Sequence, residues 1–137
     1  APVGSLLLTS EKLIRRARRI RKAWGGGMRQ AGIIAAGGIY ALKNNIARLR
    51  IDHENAKKIE SALQTKAWIK EVLPVETNIV VAHLIDGLSE EKAAKCLEQH
   101  DILCVPFGKG RLRFTTHLDI SEKDIGTFQS CLPDQID

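Results

Sequence analysis

Leu13, Ile14, Ala17, Ile20 and Trp24 recur at spacings of three and four along residues 11–24, and the positions between them are almost wholly basic. That period predicts an amphipathic helix with one apolar stripe. Ser10 and Glu11 supply its start, and Gly25 its stop. The next apolar stretch, Ala31 to Leu42, has no polar face: Ile33, Ile34, Ala35, Ala36, Ile39, Ala41 and Leu42 point all round, with Gly32, Gly37 and Gly38 leaving room for other backbones. A helix of this kind is expected to be buried on all sides. Such burial is hard to achieve within 137 residues, and it points to the core of a larger subunit or to an oligomer interface. Asn44-Asn45 loosens the pattern, after which Ile46, Leu49, Ala56, Ile59 and Leu63 carry helical spacing to about Gln64. Ahead of all this, Pro2 to Leu8 ends in three consecutive leucines and predicts a short buried strand.

From Trp68 the period shortens. Ile69 to Leu73 and Asn78 to Leu84 predict strands separated by Pro74, and the second is rich in β-branched residues. Ser89 caps a helix reaching about His100, with Glu90 and Glu91 in its first turn. Ile102–Val105 and Leu112–His117 predict a strand pair around Gly108-Lys109-Gly110. That Gly-Lys-Gly lacks the strand-to-helix setting and spacing of a phosphate cradle, so it reads as a hairpin turn. Ser121 and Asp124 have the spacing of a capping box opening a last helix. Two strands, a helix, two strands and a helix make a small α/β sandwich, and the chain divides into segments 1–44, 45–65 and 66–137.

Charge changes the picture only locally. Of the net charge of +5, the first 30 residues hold +7 (eight Lys or Arg against Glu11) and the remainder −2. The cations between Lys12 and Lys22 invite a nucleic-acid or acidic-partner reading, since phosphate neutralisation supplies most non-specific affinity. No interleaved aromatics, base-reading side chains or known reading motif accompany them, which argues against nucleic acid. No run approaches the roughly 20 apolar residues that cross a bilayer, and no signal-peptide layout opens the chain, so the expectation is a cytoplasmic protein without a membrane partner. Cys96, Cys104 and Cys131 are odd in number and widely spaced, which fits neither a disulfide framework nor a zinc site. His53 has no second ligand at metal spacing and reads as a half-buried side chain with a carbonyl partner.

Two arginines stand where a cation needs a reason. Gly25-Gly26-Gly27 cannot be helix interior, each glycine costing about 1 kcal/mol relative to alanine. The glycines therefore end one helix and leave Arg29 where an apolar helix emerges from a turn. Arg113 sits mid-strand, where alternation sends Arg111, Arg113 and Thr115 to one face and Leu112, Phe114 and Thr116 to the other. A guanidinium there is expensive unless exposed or paired.

The segment Gly-Gly-Gly-Met-Arg-Gln-Ala-Gly, preceded by Arg-Arg-Ala-Arg-Arg-Ile-Arg-Lys and followed by Gly-Ile-Tyr-Ala-Leu-Lys-Asn-Asn-Ile-Ala-Arg-Leu, resembles the C-terminal part of the low-specificity L-threonine aldolases. The likeness runs from Ala1 to about Ser121. It implies the C-terminal part of a fold-type-I pyridoxal-phosphate enzyme: the end of the large cofactor-binding domain (1–44), a connecting helix (45–65) and a small C-terminal α/β domain (66–137). The activity implied is retro-aldol cleavage of L-threonine or L-allo-threonine to glycine and acetaldehyde, in a homotetramer. Within the family's Arg-x-x-Thr-His-Leu-Asp pattern, Arg113 matches the arginine that grips the substrate α-carboxylate. Arg29 and Lys22 match cations near the cofactor phosphate, and His117 and Asp119 are expected to make structural hydrogen bonds. The family's cofactor lysine lies in a Ser-Lys-Gly-Leu-Gly segment immediately before Ala-Pro-Val-Gly-Ser. It is therefore expected upstream of Ala1, in an N-terminal part of the same protein. None of Lys12, Lys22, Lys43 or Lys109 stands in that local sequence, so no catalytic residue is assigned here. A non-catalytic basic module and an oligomerisation remnant stay open as alternatives.

Overall fold

The computed structural model describes residues 5–136. The chain forms two compact units that divide between Ala47 and Arg48.

The first unit holds two helices, α1 (Glu11–Ala23) and α2 (Gly32–Asn44). Ser10 stands at the N-cap in an extended conformation, but its hydroxyl makes no capping bond. Its carbonyl accepts from Ile14 N–H at 2.9 Å. α1 stops because Gly25 turns left-handed at φ +83°, which lets its N–H reach the Lys22 carbonyl and Gly26 N–H reach the Arg21 carbonyl. At Gly26 a Cβ would lie 2.7 Å from Arg21 Cγ and 3.0 Å from the Arg21 carbonyl oxygen, so a side chain there would require the Arg21 stem to shift. α2, whose cover was expected from a larger subunit or an oligomer interface, finds none among the described residues of this chain. None of its residues is buried, and Ile33 is 80% exposed. Of the predicted strand at Pro2–Leu8, residues 2–4 lie outside the described ones, and Ser5 to Leu8 form no strand. Leu6, Leu7 and Leu8 are exposed, for a strand needs a hydrogen-bonded neighbour and the described part of this unit has none.

The second unit runs α3 (Leu49–Gln64), β1 (Ile69–Val72), β2 (Ile79–Leu84), α4 (Glu90–Glu98), β3 (Val105–Pro106), β4 (Arg111–Thr115) and α5 (Glu122–Cys131). The four strands form one antiparallel sheet in the order β1-β2-β4-β3. Alternation along β2 and β4 sends Val80, Ala82, Leu84, Leu112 and Phe114 into a single core with Ala56, Ile59 and Leu63 of α3, Ala93 and Leu97 of α4 and Ile125 of α5. Phe114 meets Phe128 edge to face at 5.9 Å. The mixed α/β class follows from this layer of helices on one face of the sheet. Ser89 caps α4 through its hydroxyl, and Ser121 with Asp124 completes the capping box of α5.

The expected connecting helix, residues 45–65, contains α3. α3 belongs to the second unit, with Asp52, Asn55, Ala56, Ile59 and Leu63 buried, whereas Ile46 and Leu49 face outward. The buried stripe thus begins on two polar residues that find partners. Arg48 grips the Asp52 carboxylate with two nitrogens at 3.1 Å, and the buried Thr116 hydroxyl donates to the Asp52 carbonyl at 2.7 Å. Asn78 donates to the Thr116 carbonyl at 2.7 Å, and Asn55 to Ile120. The far end is stapled by Trp68, whose indole N–H donates to Pro133, and by Lys66, which reaches Leu132 and Asp134.

Candidate functional site

The sheet face turned away from the core carries the polar chemistry. In β4 the odd positions Arg111 and Arg113 are half-buried and Thr115 is exposed, while Leu112, Phe114 and Thr116 are buried. Register places Arg113 between Val81 of β2 and Val105 of β3, so its stem lies across apolar neighbours and only the guanidinium is polar. Its Nε is buried and has no hydrogen-bond partner among the described residues. The terminal nitrogens of the same group are neither buried without a partner nor bonded to a described residue. They form the open edge of a planar donor fork, the geometry that receives a carboxylate through two parallel hydrogen bonds.

The hairpin around Gly108-Lys109-Gly110 closes over this face. Three successive residues adopt left-handed backbone, at φ +72°, +56° and +68°, which curls the turn back on the strand that leaves it. Arg111 locks the curl, Nε donating to the Gly108 carbonyl at 3.0 Å and Nη2 to the Phe107 carbonyl at 3.3 Å. From the start of α4, the Glu90 carboxylate accepts Gly110 N–H at 3.1 Å. The turn thereby holds the Phe107 ring 5.1 Å from Arg111 Cζ and 5.3 Å from Arg113 Cζ, within cation–π range of both.

Lys22 and Arg29 belong to the first unit. Lys22 is in the last turn of α1 and Arg29 in the turn before α2; both are exposed, and neither forms an ion pair among the described residues. Gly27 packs close to the Lys22 stem, for a Cβ there would sit 3.3 Å from Lys22 Cγ. His117 and Asp119 are exposed and bonded to each other locally: Asp119 N–H donates to His117 Nδ1 at 3.3 Å. His53 is half-buried. Burial pushes the Cys104 thiol up to about 11, so it is almost wholly protonated near neutrality and a poor nucleophile.

A cleft of about 300 Å³ opens on the helix side between β4, α5 and the 100–103 loop. Of the two carboxylates at its rim, Asp101 and Asp124, the second is already committed to the Ser121 cap, and the lining is otherwise mainly apolar. Chemistry that needs a cation facing outward concentrates instead at Arg113. Alternation alone announced which face Arg113 would occupy. It gave no sign of Phe107, because the ring reaches the arginine only through the left-handed turn.

The family described as Beta-eliminating lyase matches residues 1–86 of this chain. The chain belongs to the beta-eliminating lyase family. Within its curated relatives it is 37% identical to low-specificity L-threonine aldolase 1 of Arabidopsis thaliana over 134 residues, which is 96% of this chain and 37% of that protein. To the low specificity L-threonine aldolase of Escherichia coli (strain K12) it is 42% identical over 125 residues, 90% of this chain and 36% of that protein. The Candida albicans low-specificity L-threonine aldolase is 32% identical over 132 residues, 96% of this chain and 34% of that protein. This beta-eliminating lyase family chain therefore spans little more than a third of the length of the curated relatives it matches.

Proposed function

We propose that this chain supplies the C-terminal part of a pyridoxal-phosphate-dependent threonine aldolase, a carbon–carbon lyase that cleaves L-threonine or L-allo-threonine to glycine and acetaldehyde. The observation that carries the reading is the Arg113 fork: half-buried, free of any carboxylate among the described residues, with its terminal nitrogens open. The threonine aldolase relatives support the substrate class. In this reading the chain takes part in amino acid metabolism in the cytoplasm, as part of a homotetramer completed by an N-terminal region of the same protein. Among the described residues no helix is long and apolar enough to cross a membrane.

The donor set suits the cofactor's anionic end. Lys22 and Arg29 are exposed cations unclaimed by described acids, flanking a glycine turn whose backbone admits close approach. They would hold the phosphate, while the cofactor, when bound, supplies an electron sink for the carbanion left at Cα. Arg113 acts on the other partner. Two parallel hydrogen bonds to the α-carboxylate fix the direction of the amino acid as well as its position, and direction decides which bond at Cα is held for cleavage. The proton of the β-hydroxyl must be taken by a group that no residue of this chain is assigned to be.

The test is a pair of substitutions in the complete enzyme. Arg113→Lys keeps the charge and loses the fork, and truncating one side of a desolvated charged pair weakens binding by about 30-fold or more. The expected outcome is a KM for threonine raised by that factor, with uptake of pyridoxal phosphate, followed by its absorbance, unchanged. Arg29→Gln should do the reverse, weakening cofactor uptake first. An Arg113→Lys enzyme with unaltered KM removes the reading.

A further inference from the structure

We propose that Phe107 is a positioning residue for Arg113, so that a side chain on the hairpin turn, outside the strand that bears the arginine, sets the plane of the substrate-gripping fork. The inference rests on the carboxylate reading of Arg113 given above and adds a residue to it.

A strand fixes where an arginine begins and leaves its long stem free to rotate, and that freedom has to be removed before two hydrogen bonds form together. Among the described residues Arg113 makes no hydrogen bond or ion pair that would remove it, and its Nε is buried without a partner. Among the described residues the guanidinium lies against the Phe107 ring, with its centroid 5.3 Å from Cζ. A planar cation held against an aromatic ring loses most of its orientations while its outer edge stays open.

The ring is in turn well supported. Arg111 ties the turn through the Gly108 and Phe107 carbonyls and lies 5.1 Å from the same ring. Glu90 holds Gly110 N–H from the side. Phe107 is itself 43% exposed and is no member of the hydrophobic core, so a structural role in holding the fold together does not account for so braced a position.

The experiment compares Phe107→Leu, Phe107→Trp and Arg113→Lys in the complete enzyme. Loss of the ring should raise KM for threonine between about threefold and thirtyfold with kcat little changed, and Phe107→Trp should restore it. Added to Arg113→Lys, the leucine substitution should cost nothing further, because lysine offers no plane to orient. An independent readout is the ¹⁵N–¹H resonance of Arg113 Nε in the 137-residue chain. It should lose its ring-current displacement in Phe107→Leu and regain one in Phe107→Trp.

If Arg113→Lys weakens threonine binding while Phe107→Leu leaves both KM and the resonance unmoved, the positioning role is overturned and the carboxylate reading stands. If Arg113→Lys leaves KM unchanged, both fall. A parallel loss of kcat, KM and thermal stability in Phe107→Leu without rescue by tryptophan overturns positioning in favour of a structural role.

Discussion

The two units of this chain have opposite relations between composition and burial. α2 of the first unit is the most continuously apolar helix in the sequence, yet none of its residues is buried. α3 of the second unit is interrupted by Asp52, Asn55, Lys57, Lys58 and Glu60, yet five of its sixteen residues are buried. Among the described residues, every buried hydrophobic side chain lies between Ala56 and Leu132. Apolar content gives a helix a reason to seek cover, and only a complementary surface supplies it. The second unit has that surface in the even face of its sheet. The described part of the first unit has two short helices and no sheet.

Substitutions of matched size in the two units sharpen this contrast most. Leu63→Ala removes a fully buried side chain from the place where α3 meets the sheet, and such truncations cost about 2–5 kcal/mol. Ile39→Ala in α2 acts on a side chain more than half exposed and should change stability by less than about 0.5 kcal/mol. Urea titration of the 137-residue chain checks both. Equal losses would mean that α2 is covered in the free chain, and the contrast between the units would disappear.

How much of this was legible in the sequence follows the range of the interactions. Features set within a turn or two were readable: the α1 stripe, the left-handed stop at Gly25, the capping box at Ser121 and the two faces of β4. The place of α3 was not, because its buried stripe opens on Asp52 and Asn55, whose partners Thr116 and Ile120 lie 64 and 65 residues away. The apolar positions Ala56, Ile59 and Leu63 were readable as one stripe, but polar residues at its start give no sign of burial until those partners are known. Position in the chain marked Arg29 and Arg113, and Lys22 stood out only through the family resemblance. Only for Arg113 does the structure supply surroundings that restrict the guanidinium, and the restricting residue, Phe107, was silent in the pattern.

The buried polar link from α3 to the end of β4 gives the next effect in size. Thr116→Val keeps shape and removes the hydroxyl that donates to the Asp52 carbonyl at 2.7 Å. Thr116 N–H still reaches Asn78. The expected loss is about 1–2 kcal/mol, again by urea titration, and it should leave the circular dichroism of the folded chain unchanged. A neutral or stabilising result would show that α3 is held to the sheet by apolar packing alone. The second unit would then owe its boundary at Arg48 to the Ala56, Ile59 and Leu63 contacts and not to the polar ones that precede them.

The smallest effect is set by pH at the C-terminal end of the second unit. Three carboxyls there are held below their ordinary values by groups that bond their charged form: Glu122 by Lys58, Asp124 by the Ser121 hydroxyl and N–H, and Asp134 by Lys66. A carboxyl whose folded value is depressed contributes stability that is fully present above its unfolded value, here 4.5 for Glu122 and 3.8 for the two aspartates, and that is lost as pH falls through the folded one. The urea midpoint should therefore hold steady from pH 7 to about 5 and decline below it. All three groups are exposed, so added salt should flatten the two lysine-dependent slopes. Asp124→Asn should remove its share of the decline in both low and high salt, because that share comes from hydrogen bonds at a helix start and not from a distant charge. A decline that is unchanged in Asp124→Asn, or that steepens with salt, would place the acid-sensitive contacts elsewhere and separate the α5 cap from the stability of the sheet it packs on.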